Sequence, residues 1–293
     1  MITDIFHGVS MALADSVPGV SGGTIAFILG FYEHFLNAIH DFLGKDREKR
    51  KDAFFYLLRF AIGWAAGMIG AILLLSRIFE QHIHFLSSVF LGLTLGAIPF
   101  ILKDEWKDLH KSVGNLLFTV LGATIVAAIT AMRNGNSIFH IQFQSLNLWQ
   151  GLYLIVCGGL AVSAMLLPGI SGSTLLLIFG VYVPAVDAVK EVLHLHLEYL
   201  PGVLALAAGV ILGGILASNA IRSALQKHRS KTVFLILGLM IGSLYAIIMG
   251  PTTLDTPQAP LSFSNFKIIG FVLGILILIG LEWGKHKIAA SKK

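Results

Sequence analysis

The chain has 293 residues, of which 56% are hydrophobic and only 13% charged. Mean hydropathy is +0.81. A soluble domain carries about 25% charged residues, so this composition excludes an ordinary soluble enzyme and points to an all-α polytopic membrane protein. The net charge of +5 is not a nucleic-acid signature, because the basic residues sit in short segments between apolar spans.

The first predicted element is unusual. Residues 1–43 are too polar in the middle for a plain crossing. DSVPGVSGGT, Asp15 to Thr24, interrupts the apolar run after only 14 residues, about 21 Å of helix. The economical reading is a re-entrant hairpin that turns at Pro18-Gly19, with 24–43 as a longer second arm. Three spans follow at 53–79, 84–102 and 112–132, each near the roughly 20 residues a crossing needs. Residues 133–147 form an external linker. A second hairpin occupies 148–191 and carries MLLPGISGST, Met165 to Thr174. Spans at 200–221, 231–250 and 265–284 and a cytoplasmic tail, 285–293, complete the chain.

The two polar motifs align without gaps: Pro18 with Pro168, Gly19 with Gly169, Ser21 with Ser171, Gly22 with Gly172, Thr24 with Thr174. Other echoes extend the repeat, such as LGLTLGA at 91–97 and LGLMIGS at 237–243. The halves are therefore 1–132 and 148–284. Segments 44–52, 103–111, 219–231 and 285–293 hold 16 of the 21 Lys and Arg. By the positive-inside rule they face the cytoplasm, as do both termini. Three crossings per half then force the second half to be inverted. Inverted repeats with interrupted helices in matching places mark secondary transporters with a site near the bilayer midplane.

Interrupted backbone at membrane depth is tolerated only inside protein or beside a wet cavity. Each motif starts a new helix whose free N–H groups face the turn. Gly19, Gly22, Gly23, Gly169 and Gly172 let a ligand approach the backbone, and Ser21, Thr24, Ser171, Ser173 and Thr174 add hydroxyls. That arrangement suits an anion, phosphate above all. Carbonyls ending the first arms suit a cation instead. Asp15, whose counterpart is Met165, is a candidate for coupling to a proton or Na⁺; its plainer role is a cap for the following turn. Glu33 is either a second coupling residue or a partner of His34. Arg59 is a snorkelling cation, a phosphate guide or a partner for Glu33. Arg77 is an outer interface anchor or a capture point for an external anion. No metal site and no resident cofactor are expected.

The paired Pro-Gly-x-Ser-Gly-[Gly/Ser]-Thr copies, the leading Asp15-Ser16 and the following FILGFYEHF resemble the PopT-type polyprenyl-phosphate transporter family of bacteria, over almost the whole chain. The resemblance implies a plasma-membrane flippase, not an enzyme. Such a carrier returns undecaprenyl phosphate, the lipid carrier of cell-wall precursors, to the inner leaflet with the help of an ion gradient. On the resemblance, Ser21, Thr24, Ser171, Ser173 and Thr174 bind the phosphate. The partners expected are that lipid and the bilayer; a homo-oligomer is compatible with the pattern. Two rivals stand beside it: a carrier or channel for a small anion, and an undecaprenyl-pyrophosphate phosphatase. The phosphatases carry an arginine within a similar motif, where Gly22 and Gly172 stand here, and their paired-glutamate helix motif is absent.

Overall fold

The structure is a computed structural model that describes residues 2–15, 21–71, 76–105, 113–132, 143–144, 146–253 and 257–290. These form α1 (Ile2–Asp15), α2 (Gly22–Ile28), α3 (Tyr32–Leu43), α4 (Arg47–Gly70), α5 (Ser76–Glu105), α6 (Val113–Met132), α7 (Leu148–Leu166), α8 (Gly172–Ile178), α9 (Tyr182–Leu193), α10 (Leu200–Lys227), α11 (Arg229–Met249) and α12 (Ile268–Ala290). No strand occurs among the described residues.

Among the described residues, six stretches are long and apolar enough to cross a bilayer: 47–70, 82–103, 114–132, 148–166, 197–227 and 229–252. The all-α polytopic class expected from composition is therefore found. The inventory differs in two places. α7, read from the sequence as a hairpin arm, is an uninterrupted apolar helix of 19 residues, about 28 Å long. Asn147 and Gln150 form a capping box that fixes its start, satisfying two otherwise free donors. α12, in contrast, has a shorter apolar run, 268–280. α4 starts at Arg47, earlier than its apolar run, because the Asp46 carboxylate accepts from the N–H groups of Glu48 and Lys49. α5 is broken at His82 (φ −131°, ψ 31°), which is where its apolar part begins.

The expected single arm over 24–43 is instead two helices. α2 is only seven residues long, about 10 Å, and ends at Gly30 (φ 74°). The Phe31 N–H reaches the Ala26 carbonyl and the Gly30 N–H that of Phe27, a Schellman ending. The same turn recurs at Gly180 (φ 68°), with Val181 bonded to Leu176 and Gly180 to Leu177. There it bends α8 against α9 by 103°. α3 is amphipathic: Tyr32, Phe35 and Leu36 are buried while Glu33 and His34 are exposed. It packs between α4 and α10, where His40 meets Asn219 at 2.6 Å and Arg222 donates to Asn37 at 2.6 Å.

Long helices pair where glycines bring backbones together, as is common between membrane helices. A Cβ on Gly63 of α4 would lie 2.1 Å from the Ile5 carbonyl of α1, and one on Gly209 of α10 would lie 2.1 Å from the Ile155 carbonyl of α7. α1 runs parallel to α4, with Ile5 and Val9 against Gly63 and Gly67; α7 runs parallel to α10, with Ile155 and Gly159 against Gly209 and Gly213. The remaining pairs cross between halves. α6 lies parallel to α11 (Thr119 and Ala123 against Gly238 and Gly242), and α5 to α12 (Phe85 and Val89 against Gly270 and Gly274).

Candidate functional site

The two motifs meet. Ser21 begins α2 in extended conformation (φ −121°, ψ 135°) and its Oγ accepts from the Gly23 N–H. The same hydroxyl donates to the Leu167 carbonyl at 3.2 Å. Thr24 Oγ1 accepts from the Gly169 N–H at 2.8 Å, and Tyr32 donates to the Leu166 carbonyl at 2.9 Å. α7 ends at Leu166, so these carbonyls belong to its broken end. Lipid offers them no partner, and hydroxyls of the first half supply one. Gly169 has φ +92°, and a Cβ there would lie 2.4 Å from the Leu239 carbonyl. Only glycine fits both the turn and the contact with α11.

Asp15 closes the first tip from below. Its Oδ1 accepts from the Gly22 N–H at 2.7 Å, and its Oδ2 from the Trp64 indole at 3.4 Å. A Cβ on Gly22 would sit 2.7 Å from both carboxylate oxygens, so the glycine makes room for the carboxylate. Asp15 thus does what a cap does, at the helix end where an incoming anion was expected. Trp64 is 11 residues past Ala53 in α4, about 16 Å along the helix. That is about half of a 30 Å hydrocarbon core.

The second tip is arranged differently. Ser171 precedes α8 without a side-chain cap bond; its Oγ lies 2.9 Å from that of Ser173. Ser171, Ser173 and Thr174 are half-buried, whereas Ser21 and Thr24 are 1% and 2% exposed. The first motif's hydroxyls are committed to the second tip, and the second motif's hydroxyls are the reachable ones. Gly23 is wedged against the Leu166 carbonyl, and Gly172 against the Ala161 carbonyl. The turn expected at Pro18-Gly19, and with it the role of Gly19, lies outside the described residues.

An apolar cleft of about 340 Å³ opens beside the tips. It runs from Ile211, 62% exposed, inward to Met11, 3% exposed. Phe60 and Trp64 of α4 form one wall, Val210 and Gly214 of α10 the other, and Met165 and Leu166 the floor. Its inner end therefore reaches both Trp64, the partner of Asp15, and Met165, the repeat counterpart of Asp15.

The other charged candidates lie apart from the tips. Glu33 pairs with Arg229 at 2.9 Å, and neither His34 nor Arg59 is its ion-pair partner. Arg59 binds Asp4 at 3.2 Å instead. The side chain of Arg77 lies outside the described residues. Sequence reasoning passed over Asp4, Glu105 and Arg229. Arg229 donates through Nε and Nη2 to both oxygens of Glu105, each at 2.8 Å. A signal was present: an arginine opening a helix and a glutamate closing one each oppose the helix dipole, and so require a partner.

Long apolar helices around two interrupted-helix tips, with an apolar cleft beside them, define a polytopic helical membrane protein. Residues 11–264 match the family described as undecaprenyl phosphate translocase-like, and the chain belongs to that family. It is 36% identical over 277 residues to a polyprenyl-phosphate transporter of Staphylococcus aureus, covering 94% of this chain and 95% of that one. It is 31% identical over 253 residues to a polyprenyl-phosphate transporter of Vibrio cholerae, covering 83% and 76%. The family and these relatives are named as transporters, not as enzymes. No solved structure matches the chain.

Proposed function

We propose that this protein is an ion-coupled flippase that moves a polyprenyl phosphate, undecaprenyl phosphate in particular, from the outer to the inner leaflet of the bacterial plasma membrane. The observation that carries the reading is the apolar cleft beside the two polar tips, which reaches Trp64, the partner of Asp15, and Met165 and Leu166 at the end of α7. A lipid phosphate needs both: a place for its headgroup inside the protein and an opening through which the prenyl chain stays in the bilayer. A small-anion channel needs no such side opening. The names of the family and its relatives support the substrate; the direction is what the resemblance read from the paired motifs implies.

The headgroup binds at the second tip, where Ser171, Ser173 and Thr174 are reachable, on a turn that Gly169 and Gly172 let pack against the Leu239 and Ala161 carbonyls. Ser21, Gly22, Gly23 and Thr24 hold the opposing surface. The two halves are inverted repeats. Support comes from the parallel pairing of α6 with α11 and of α5 with α12, because consecutive spans alternate in direction. Rocking of one half against the other gives alternating access.

Charge makes coupling necessary. A phosphate monoester carries about −1.5 to −2 at neutral pH. Carrying it inward against an interior-negative potential costs roughly 3.5–4.6 kcal/mol per 100 mV. About two protons or Na⁺ per phosphate restore neutrality. Asp15 is the coupling residue in this reading: it sits near mid-depth and occupies the Gly22 N–H. Translocation of a polyprenyl phosphate in liposomes, with imposed proton or sodium gradients, tests the proposal. Gradient-dependent movement is expected; transport indifferent to both gradients removes the coupling, and release of inorganic phosphate would favour an enzyme.

A further inference from the structure

Glu33, Glu105 and Arg229 take no part in the site at the tips. They come from α3, α5 and α11 and line a separate cavity of about 310 Å³ with Phe27, Ile28 and Tyr32. Phe27 and Ile28 end α2, whose first residue is Gly22. From Gly22 to Ile28 is six residue steps, about 9 Å of helix. The cavity therefore lies one short helix away from the first tip, on the side where the basic segments gather.

The two carboxylates hold Arg229 unequally. Glu105 takes two parallel bonds at 2.8 Å and its side chain is 15% exposed. Glu33 takes one, at 2.9 Å, and its side chain is 50% exposed. The buried fork is the stronger contact, and the exposed single pair is worth little. The Arg229 guanidinium thus serves two carboxylates that repel each other. A phosphate monoester presents the same oxygen acceptors with more charge. It can take Nη1 from Glu33 while Glu105 keeps the guanidinium in place. The device is one-sided. At repeat-related positions stand Val183 (33 + 150), Pro251 (105 + 146) and Ile83 (229 − 146), none of them charged.

We propose that Arg229 is a second phosphate-binding station, facing the basic side, and that Glu33 is its built-in competitor. The inference rests on the polyprenyl-phosphate reading. The headgroup leaving the tips is received by Arg229, and return of Glu33 expels it. Binding of farnesyl phosphate to the purified full chain in detergent, measured by calorimetry, tests this. Glu33→Gln removes the competitor and tightens binding, by up to about fivefold. Arg229→Gln removes the receiving group and weakens it by roughly tenfold or more. Farnesol, lacking the phosphate, responds to neither variant. A mere latch between α3 and α11 loses its ion pair in both variants, so both would then shift in the same direction; that result, or no change in either, overturns the station. If Arg229→Gln does not fold, Arg229→Lys, which keeps the charge but loses the fork, must still weaken binding while Glu33→Gln tightens it. Absence of binding in the unmodified protein overturns the substrate reading itself, and the station with it; binding that all forms share equally overturns the station alone.

Discussion

Thr24→Val isolates the bond that joins the two tips. Valine matches threonine in shape, so no cavity opens, but the Gly169 N–H loses the acceptor 2.8 Å away. Gly169 has little room to find another, because even a Cβ built on it would lie 2.4 Å from the Leu239 carbonyl, and both partners are buried. A buried donor left without a partner costs about 1–3 kcal/mol. At roughly 2–4 °C per kcal/mol for a chain of this size, a loss near 2 kcal/mol lowers Tm by about 4–8 °C. Thr24→Ser keeps the oxygen and loses one methyl, about 0.8 kcal/mol, so its Tm falls by about 2–3 °C. Thermal unfolding in detergent, followed by the fluorescence of the four tryptophans, reads both. Valine as stable as the parent, or serine as damaging as valine, would refute the reasoning.

Other variants separate packing from transport. Asp15→Asn can still accept from the Gly22 N–H, so it folds but loses gradient-driven movement of polyprenyl phosphate in liposomes; undiminished movement removes Asp15 from coupling. Gly63→Ala places a Cβ 2.1 Å from the Ile5 carbonyl and costs about 1–3 kcal/mol through overpacking. Gly70→Ala, whose Cβ would meet nothing within 4 Å among the described residues, leaves Tm unchanged or slightly raised. Ser171→Ala with Ser173→Ala weakens binding of polyprenyl phosphate at constant Tm, whereas Ser21→Ala lowers Tm because the Leu167 carbonyl loses its donor. Gly214→Leu fills the apolar cleft and slows a long polyprenyl phosphate more than farnesyl phosphate in the same liposome assay.

The repeat was legible because glycine, proline and serine at fixed offsets are visible without coordinates. The ends of α2 and α8 left a trace that the reading of 24–43 as a single arm missed: Gly30 and Gly180 are also 150 apart (180 − 30). The polar stripe of α3, with Glu33, Asn37 and His40 roughly a turn apart, carried the same message as that break. What the motifs do was less accessible. A serine at a helix start looks the same whether it faces a ligand or, like Ser21, a carbonyl 146 residues away. Only the fold separates the committed hydroxyls of the first motif from the reachable ones of the second. Arg229 was hidden for another reason. In a basic segment it reads as a topology charge, and its two carboxylates come from helices distant in sequence.

The exchange of partners between halves bears on how the chain is made. α5 and α6 carry glycine-notched faces whose partners, α12 and α11, are synthesised more than a hundred residues later. The reverse dependence holds at the tips: the carbonyls ending α7 need Ser21 and Tyr32, which are already in place when α7 emerges. Neither half is then a self-sufficient unit. Expressed alone, the second half would bring bare carbonyls into hydrocarbon, at several kcal/mol each. The first half would wait in the bilayer with two unmatched seams. The N-terminal tip thus supplies the partners that the end of α7 requires, and α5 and α6 meet theirs only once α12 and α11 have been made.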